Sequence, residues 1–183
     1  MLGVLMLAAP FAHAERTTTV NLGGMIGGVE HRVDEATRME PAGGPRLILS
    51  FEHPPPALPP TKDTNVDVTL VPELIAGAVM NADRGEAMVG VGARGELRLS
   101  QRDAGLFHVN ARMAFYAAFR ALIVGEHQDP AGEVSLGEYV YLGRGRLRLG
   151  GEASLLLRKS DEFMATSGSQ HGIMASVYLG WAM

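Results

Sequence analysis

Arginine and glutamate recur at every second position in several segments of this sequence, and each alternates with apolar residues. The clearest examples are Arg94, Glu96 and Arg98, followed by Arg146 and Arg148. A guanidinium group binds both oxygens of a carboxylate and stays charged when it is desolvated. We therefore predict a buried ion-pair network, whose members are Arg94, Glu96, Arg98, Arg112, Arg120, Arg146, Arg148, Glu152, Glu73 and Glu138.

Other residue types suggest weaker chemistry. Ser50 with His53, or Ser169 with His171, has the composition of a lipid-hydrolase site but no recognisable motif. Gly90, Gly92 and Gly95 match a dinucleotide fingerprint, but the residues after them continue in period two instead of opening a helix. The chain has no cysteine, which excludes thiolate chemistry. We predict no enzymatic activity, no cofactor and no metal site.

Strands must position these side chains. Period-two alternation runs through 86–100, 107–124, 145–159 and 172–183, and more weakly through 17–31, 46–53, 65–80 and 133–142. In 107–124 a helix would point His108, Asn110 and Arg112 in three directions. Pro72 removes a ladder donor and predicts a bulge or a break. Eight strands separated by turn signals predict an all-β, antiparallel up-and-down barrel.

Bulk properties bound the function. The 183 residues suit one domain, and a formal net charge of −4 gives no general attraction to nucleic acid. Residues 1–14 end in a small-x-small pattern that predicts a signal peptide, which leaves 15–183 for the barrel; a buried N-terminal strand or helix is the alternative. No later stretch reaches the ~20 apolar residues of a membrane helix.

Alternation alone does not say which register faces outward. A soluble lipocalin-like barrel would hold an apolar ligand against an inward face that contains Phe107, Met113, Phe115 and Phe119. Strand lengths above the membrane-crossing minimum of ~9 to 11 residues favour lipid outside instead, as does the scarcity of lysine. The predicted lipid-facing residues are Phe107, Met113, Phe115, Phe119, Leu155, Leu157, Val177, Leu179 and Trp181.

The dyad repeats in 86–100 and 105–124, together with the terminal GIMASVYLGWAM, resemble the small eight-stranded outer-membrane barrels of the OmpA and OmpX type. The resemblance is architectural. It implies a transmembrane barrel in the outer membrane of a Gram-negative bacterium, with membrane lipid and the outer-membrane assembly machinery as partners. Family members commonly end in an aromatic residue, whereas this chain has Trp181 two residues before Met183.

The resemblance also implies short periplasmic turns, with 54–63 as a long one, and longer external loops. We predict a structural, adhesive or ligand-binding role for loops 32–45, 126–132 and 160–170, whose external ligand the sequence does not identify. The alternatives are the soluble periplasmic lipocalin-like barrel and an outer-membrane barrel enzyme that acts on lipid, of the lipid A deacylase or acyltransferase kind.

Overall fold

The computed structural model describes residues 17–33, 36–60, 63–81, 85–104, 109–126, 128–143, 146–159 and 169–183. They form eight antiparallel strands: β1 (Thr17–Val33), β2 (Ala36–Glu52), β3 (Thr64–Met80), β4 (Gly85–Ala104), β5 (Val109–Val124), β6 (Asp129–Leu142), β7 (Leu147–Lys159) and β8 (Ser169–Ala182). Each strand pairs with its neighbours along the chain, and β1 pairs with β8 from Thr19↔Ala182 to Val29↔Gly172. The predicted eight-stranded antiparallel barrel is confirmed.

The segment between residues 107 and 124 is a strand from Val109 onward, as its alternation predicts. Phe107 and His108 lie outside the described residues. None of the described residues belongs to a helix that is long and apolar enough to cross a membrane.

Two predicted loops are partly or mostly strand. The predicted loop 32–45 is mostly β2, which pairs with β1 without interruption from Val33↔Ala36 to Thr17↔Glu52. Pro41 and Pro45 misled the prediction, because each lies opposite a glycine of β1 within a ladder that continues past it. The predicted loop 126–132 is also too long, since β6 begins at Asp129.

Pro72 does not break β3. It pairs with Ala93 of β4, and the β3–β4 ladder runs from Thr64 to Met80. On its other side the β2–β3 ladder ends at Ser50↔Glu73, and Glu73 is the residue that follows Pro72 in the sequence. The missing N–H therefore limits pairing on one edge of the strand and leaves the other edge intact.

The barrel has two distinct ends. We call the end with Thr17 and Ala182 the terminal end and the opposite end the far end. At the far end the β1–β2 hairpin continues past Val29↔Gly172, where the β1–β8 ladder stops. At the terminal end β3 continues past its last pair with β2, and β5 continues past its last pair with β6, Met113↔Val140. The strand between them, β4, extends together with both.

The apolar register faces outward. Phe119 and Val177 are each 66 % exposed and Trp181 is 56 % exposed, while Phe115, Leu155, Leu157 and Leu179 are also exposed. Met113, in the same register, is partly exposed. Since these side chains point away from the interior, the lipocalin-like alternative is wrong. An outer surface of this kind is stable against hydrocarbon, and closure leaves no unpaired edge within it, so the chain is a membrane-spanning barrel.

Candidate functional site

Two buried arginines organise the barrel interior near its middle. Arg94 of β4 contacts Glu73 at 2.6 Å, Glu52 at 2.7 Å and Glu96. Arg120 of β5 contacts the other oxygen of Glu73 at 2.8 Å, and also Glu133 and Glu152. Glu73 therefore bridges the two guanidinium groups, so that side chains from β2 to β7 form one network.

Two further arginines extend the network around the barrel. Arg46 of β2 contacts Glu133 at 2.6 Å and Glu152 at 2.9 Å. Arg148 of β7 pairs with Glu52, which is shared with Arg94. In the described part of the chain, five arginines and five glutamates are buried. Because the two charges are equal in number, these ten residues are neutral together, and the buried Asp129 has its own partner in Arg158 near the far end.

Tyrosines complete the hydrogen bonding of this charged layer. The Tyr116 hydroxyl donates to Glu152 at 3.0 Å and lies 3.1 Å from the Tyr178 hydroxyl. Tyr139 donates to Glu96 at 3.0 Å, and the Arg148 guanidinium lies 4.4 Å from the Tyr139 ring centroid. These contacts satisfy acceptor sites that the arginines leave open and hold the rings in a cation–π arrangement.

The structure brings most of the predicted ion-pair residues together. Arg94, Glu96, Arg120, Arg148, Glu152 and Glu73 belong to the charged layer described above. Arg98 lies at its terminal edge, 3.6 Å from the more exposed Asp67.

Three predicted members lie elsewhere. Glu138 is exposed on the outer surface beside Leu136 and Val140, because the inward register of β6 contains Glu133, Ser135 and Tyr139. Its assignment to the interior is wrong. Arg146 is exposed in the turn before β7, and Arg112 is only partly buried near the terminal end of β5. Neither has an ion-pair partner among the described residues.

Sequence reasoning missed several members that the structure places in the layer. Arg46 and Glu133 are the most important, and Asn21 joins them by donating to the Ile48 carbonyl and the Ser50 hydroxyl at 3.1 Å. The signal was present in β2, where Arg46, Ser50 and Glu52 share one register. Arg46 and Glu133 both lie within segments whose alternation predicts strands, 46–53 and 133–142.

The far half of the interior is apolar. On β5 the inward positions after Arg120 are Leu122 and Val124. On β7 Leu156 is the second inward position after Glu152. We call this the apolar layer, which consists of Met25, Ala42, Ile48, Ile75, Met88, Leu122, Val124, Leu156 and Met174. The predicted arginine–glutamate network therefore fills only part of the lumen.

Polar contacts close the barrel beyond each layer. At the far end Arg158 contacts Asp129 at 2.5 Å and also pairs with Glu86. At the terminal end the Pro-rich segment 54–60 passes over the inward side chains of β4. Arg98 donates to the Pro54 carbonyl, and Ser100 donates to the Ala57 carbonyl at 2.8 Å. Side chains thus fill the barrel along its described length.

The weaker sequence motifs have structural explanations. A Cβ atom on Gly92 would approach the Arg120 Cγ atom to 2.6 Å, and one on Gly90 would approach the Leu122 Cδ2 atom to 2.5 Å, so these two glycines make room for interior side chains. A Cβ atom on Gly95 would have no neighbour within 4 Å. Ser50 is fully buried and receives hydrogen bonds from Asn21 and Arg94. It is therefore not open to a substrate. The side chain of Ser169 lies outside the described part of the chain.

Comparison with known proteins adds little to this geometry. No family model and no curated protein matches the sequence. Among solved structures, the chain is similar to Ail, the attachment invasion locus protein of Yersinia pestis, in a complex with the heparin analogue sucrose octasulfate. The identity is 10 %, the TM-score is 0.36, and the match covers 92 % of this chain and 99 % of Ail. The description of the barrel rests on its own strand registers.

Proposed function

We propose that this chain is an outer-membrane β-barrel protein of a Gram-negative bacterium, and that its barrel is a closed scaffold for a structural, adhesive or binding role at the far end. The inversion of polarity supports this most directly. Large apolar side chains such as Phe119 and Val177 are exposed, while arginines such as Arg94 are 1 % exposed. A soluble protein has the opposite distribution.

A filled interior supports a scaffold role over a porin role. Eight strands enclose a space that side chains alone fill. Here the apolar layer and the charged layer occupy it in succession, and the Pro-rich segment lies across the terminal end. Packing of this kind in the described interior supports a function at the ends of the barrel.

The β1–β2 hairpin is the most prominent described feature of the far end. It replaces the predicted loop 32–45 as the candidate recognition element, because it projects past the last pairs of β1 with β8 and of β2 with β3. The connection at 160–168 lies outside the described residues. With residues 1–14 removed as a signal peptide, the terminal end would face the periplasm and the hairpin would face outward.

Fractionation and gel mobility test the membrane assignment. We expect the protein in the outer-membrane fraction, with an N-terminus at Glu15 by mass spectrometry and a mobility on gels that changes on boiling. Recovery in the soluble periplasm without detergent would refute the proposal. In planar bilayers the purified barrel should give no stable conductance steps, and a steady open channel would refute the closed scaffold.

The role of the hairpin is tested by shortening it. Glu30 pairs with Met39, so replacing residues 31–38 with Asn-Gly keeps the register and leaves a two-residue turn. The shortened protein should keep its heat-modifiable mobility but lose attachment of expressing cells to a surface. If cells that express the shortened protein still attach, the binding role belongs to another segment of the far end.

A further inference from the structure

The strand β3 is longer than the ladder that it forms with β2. It pairs with β4 along its whole length, from Thr64 to Met80. Its pairing with β2 stops at Ser50↔Glu73, and in the described part of the chain no other backbone hydrogen bonds take the place of that ladder along residues 64–71. One edge of β3 therefore presents free N–H and C=O groups at the terminal end. We call this segment, residues 64–71, the β3 edge.

The sequence after β2 explains why this edge is open. Residues 54–60 contain five prolines, which have no backbone N–H group and so cannot donate to a neighbouring strand. The segment instead crosses the terminal end on the inward side of β3, where the Asn65 Nδ2 atom donates to the Ala57 carbonyl at 3.4 Å. This contact uses a side chain of β3, so it leaves the backbone of the β3 edge unpaired.

The outer face of the β3 edge is apolar. Val66, Val68 and Leu70 are 60 %, 75 % and 69 % exposed. Unpaired backbone groups are not stable in hydrocarbon, so the β3 edge lies beyond the membrane, in water. Sheet edges in water usually have lysine or other charged side chains, which prevent association with a further strand. Apolar side chains along an open edge favour such association instead.

An extended chain segment matches these groups. A strand supplies the alternating N–H and C=O groups that pair with a sheet edge. Asp67, on the inward face, has a side chain that is 53 % exposed and lies 3.6 Å from Arg98 of β4, so a basic residue opposite it on the open side adds charge complementarity. A second copy in the same membrane does not fit, because antiparallel pairing of two β3 edges would invert one barrel relative to the other.

We propose that the β3 edge binds one extended segment of another protein, which pairs antiparallel with residues 64–71 as an additional strand. The outward side chains of this segment are apolar and pack beside Val66, Val68 and Leu70, and a basic side chain lies beside Asp67. The proposed function enters only through the orientation of the barrel, which makes the partner periplasmic. The strand pairing itself does not depend on the role of the far end.

A peptide with the sequence of residues 93–101 is the probe. In the protein this sequence pairs antiparallel with β3, with Leu97 opposite Val68 and Arg98 opposite Asp67, so it offers matching side chains to the open side. Amide hydrogen exchange, measured by NMR on the mature chain in detergent micelles, reports the pairing. Before the peptide is added, we expect slow and fast amides to alternate along the β3 edge, because neighbouring residues direct their N–H groups to opposite sides of a strand. The peptide should slow the fast amides saturably.

Two controls separate backbone pairing from general adsorption. A peptide with Glu96→Pro and Leu97→Pro lacks an N–H group on each side of the strand and should not slow the exchange. Val68→Lys in the protein should weaken binding of the unmodified peptide about fivefold, the scale of one cross-strand side-chain pair. Met183→Lys is the matched control and should leave binding unchanged, since Met183 is 71 % exposed at the terminal end beside Thr18 of β1, away from β3. Gel mobility before and after boiling confirms that each variant is folded.

The outcomes are separable. Slowing of alternate amides by the unmodified peptide, absent with the proline peptide and weakened by Val68→Lys but not by Met183→Lys, supports the proposal. Uniformly slow exchange along the β3 edge before the peptide is added means that the edge is already paired, and overturns it. No saturable slowing, or equal effects of the two peptides or of the two variants, also overturns it.

A second copy is tested with a cysteine variant. The chain has no cysteine, so Val68→Cys introduces a single thiol at the β3 edge. Disulfide-linked dimers of this variant in native membranes would assign the edge to a second copy and overturn the proposal, whereas a variant that stays monomeric under oxidation supports it. The peptide measurements use micelles, so they are independent of the fractionation that tests the membrane assignment.

Discussion

The two halves of the barrel interior bury side chains of opposite character on the same eight strands. In the charged layer, Arg120 is 4 % exposed and contacts three glutamates. One position further along the inward register, Leu122 is 3 % exposed and packs in the apolar layer. A membrane barrel therefore does not require a polar lumen. In this barrel the buried charged side chains have partners of opposite charge, and the buried apolar side chains pack against one another.

The two layers should respond differently to the loss of a side chain. Removal of one arginine leaves buried carboxylates without their counter-charge, which is the most unfavourable change that the interior offers. Removal of one leucine leaves a cavity and a lost transfer free energy, which neighbouring side chains partly offset by relaxing. Comparing a single substitution in the charged layer with one in the apolar layer therefore measures how much each layer contributes to the free energy of unfolding.

Arg120→Leu should have the largest effect. It deprives Glu73, Glu133 and Glu152 of a shared partner at the centre of the charged layer. We expect the free energy of unfolding by urea in detergent micelles to fall by about 3 to 5 kcal/mol, the usual scale for one broken buried pair.

Arg112→Leu is the control for that variant. The sequence suggested that Arg112 belongs to the network, but the residue is partly exposed and has no ion pair in the described part of the chain. We expect a change within about 0.5 kcal/mol, as for most surface substitutions. Equal losses in the two variants would show that the charged layer is not the source of the difference.

Leu122→Ala should have the next largest effect, in the apolar layer. The substitution removes a branched side chain that is almost completely buried, and we expect a loss of about 3 kcal/mol from the combined transfer and cavity contributions. Leu136→Ala is the matched control on the outer surface, where Leu136 is 66 % exposed to the lipid side. If Leu136→Ala destabilises the barrel more, the apolar layer contributes less than its burial indicates.

The sequence predicts the fold well because alternation within each strand is local and closure of the sheet follows from the lipid environment. Alternation in β4, β5, β7 and β8 defines strands of membrane-crossing length, and a barrel is the arrangement that leaves no edge in lipid. The strand β2 was underestimated because Pro41 and Pro45 are turn residues in most contexts. Only the continuous pairing with β1 shows that they lie within a ladder.

The interior was predicted in part because charge is easier to recognise than packing. Arg94 and Arg120 stand out in an apolar sequence, whereas Met25, Met88 and Met174 are apolar residues in registers that also contain polar residues and glycine. Glu138 shows that charge alone can also mislead: its charge suggested the interior, whereas the register of β6 places it on the outer surface. Register within a strand decides these positions, and it is fixed by pairing with neighbouring strands.

Gly150→Ala should lower the free energy of unfolding by an intermediate amount, and it tests the packing of the Tyr178 ring within the charged layer. A Cβ atom on Gly150 would lie 2.6 Å from the Tyr178 ring and 2.7 Å from the Glu138 carbonyl oxygen. We expect a loss of about 2 kcal/mol, because the ring must leave its place beside the ion pairs. Gly132→Ala is the control, since a Cβ atom there has no neighbour within 4 Å. A similar loss in both variants would point to the strand backbone instead of the ring.

The smallest effect should come from a single hydroxyl group. Tyr116→Phe keeps the ring and removes the hydrogen bonds to Glu152 and Tyr178, and we expect a loss of about 1 kcal/mol. Tyr178→Phe and the double variant complete a cycle that isolates the coupling between the two hydroxyls. Because Glu152 also receives hydrogen bonds from Arg120, an unchanged stability in Tyr116→Phe would mean that the arginines alone hold its charge. A coupling above about 0.5 kcal/mol would instead make the tyrosines part of the network.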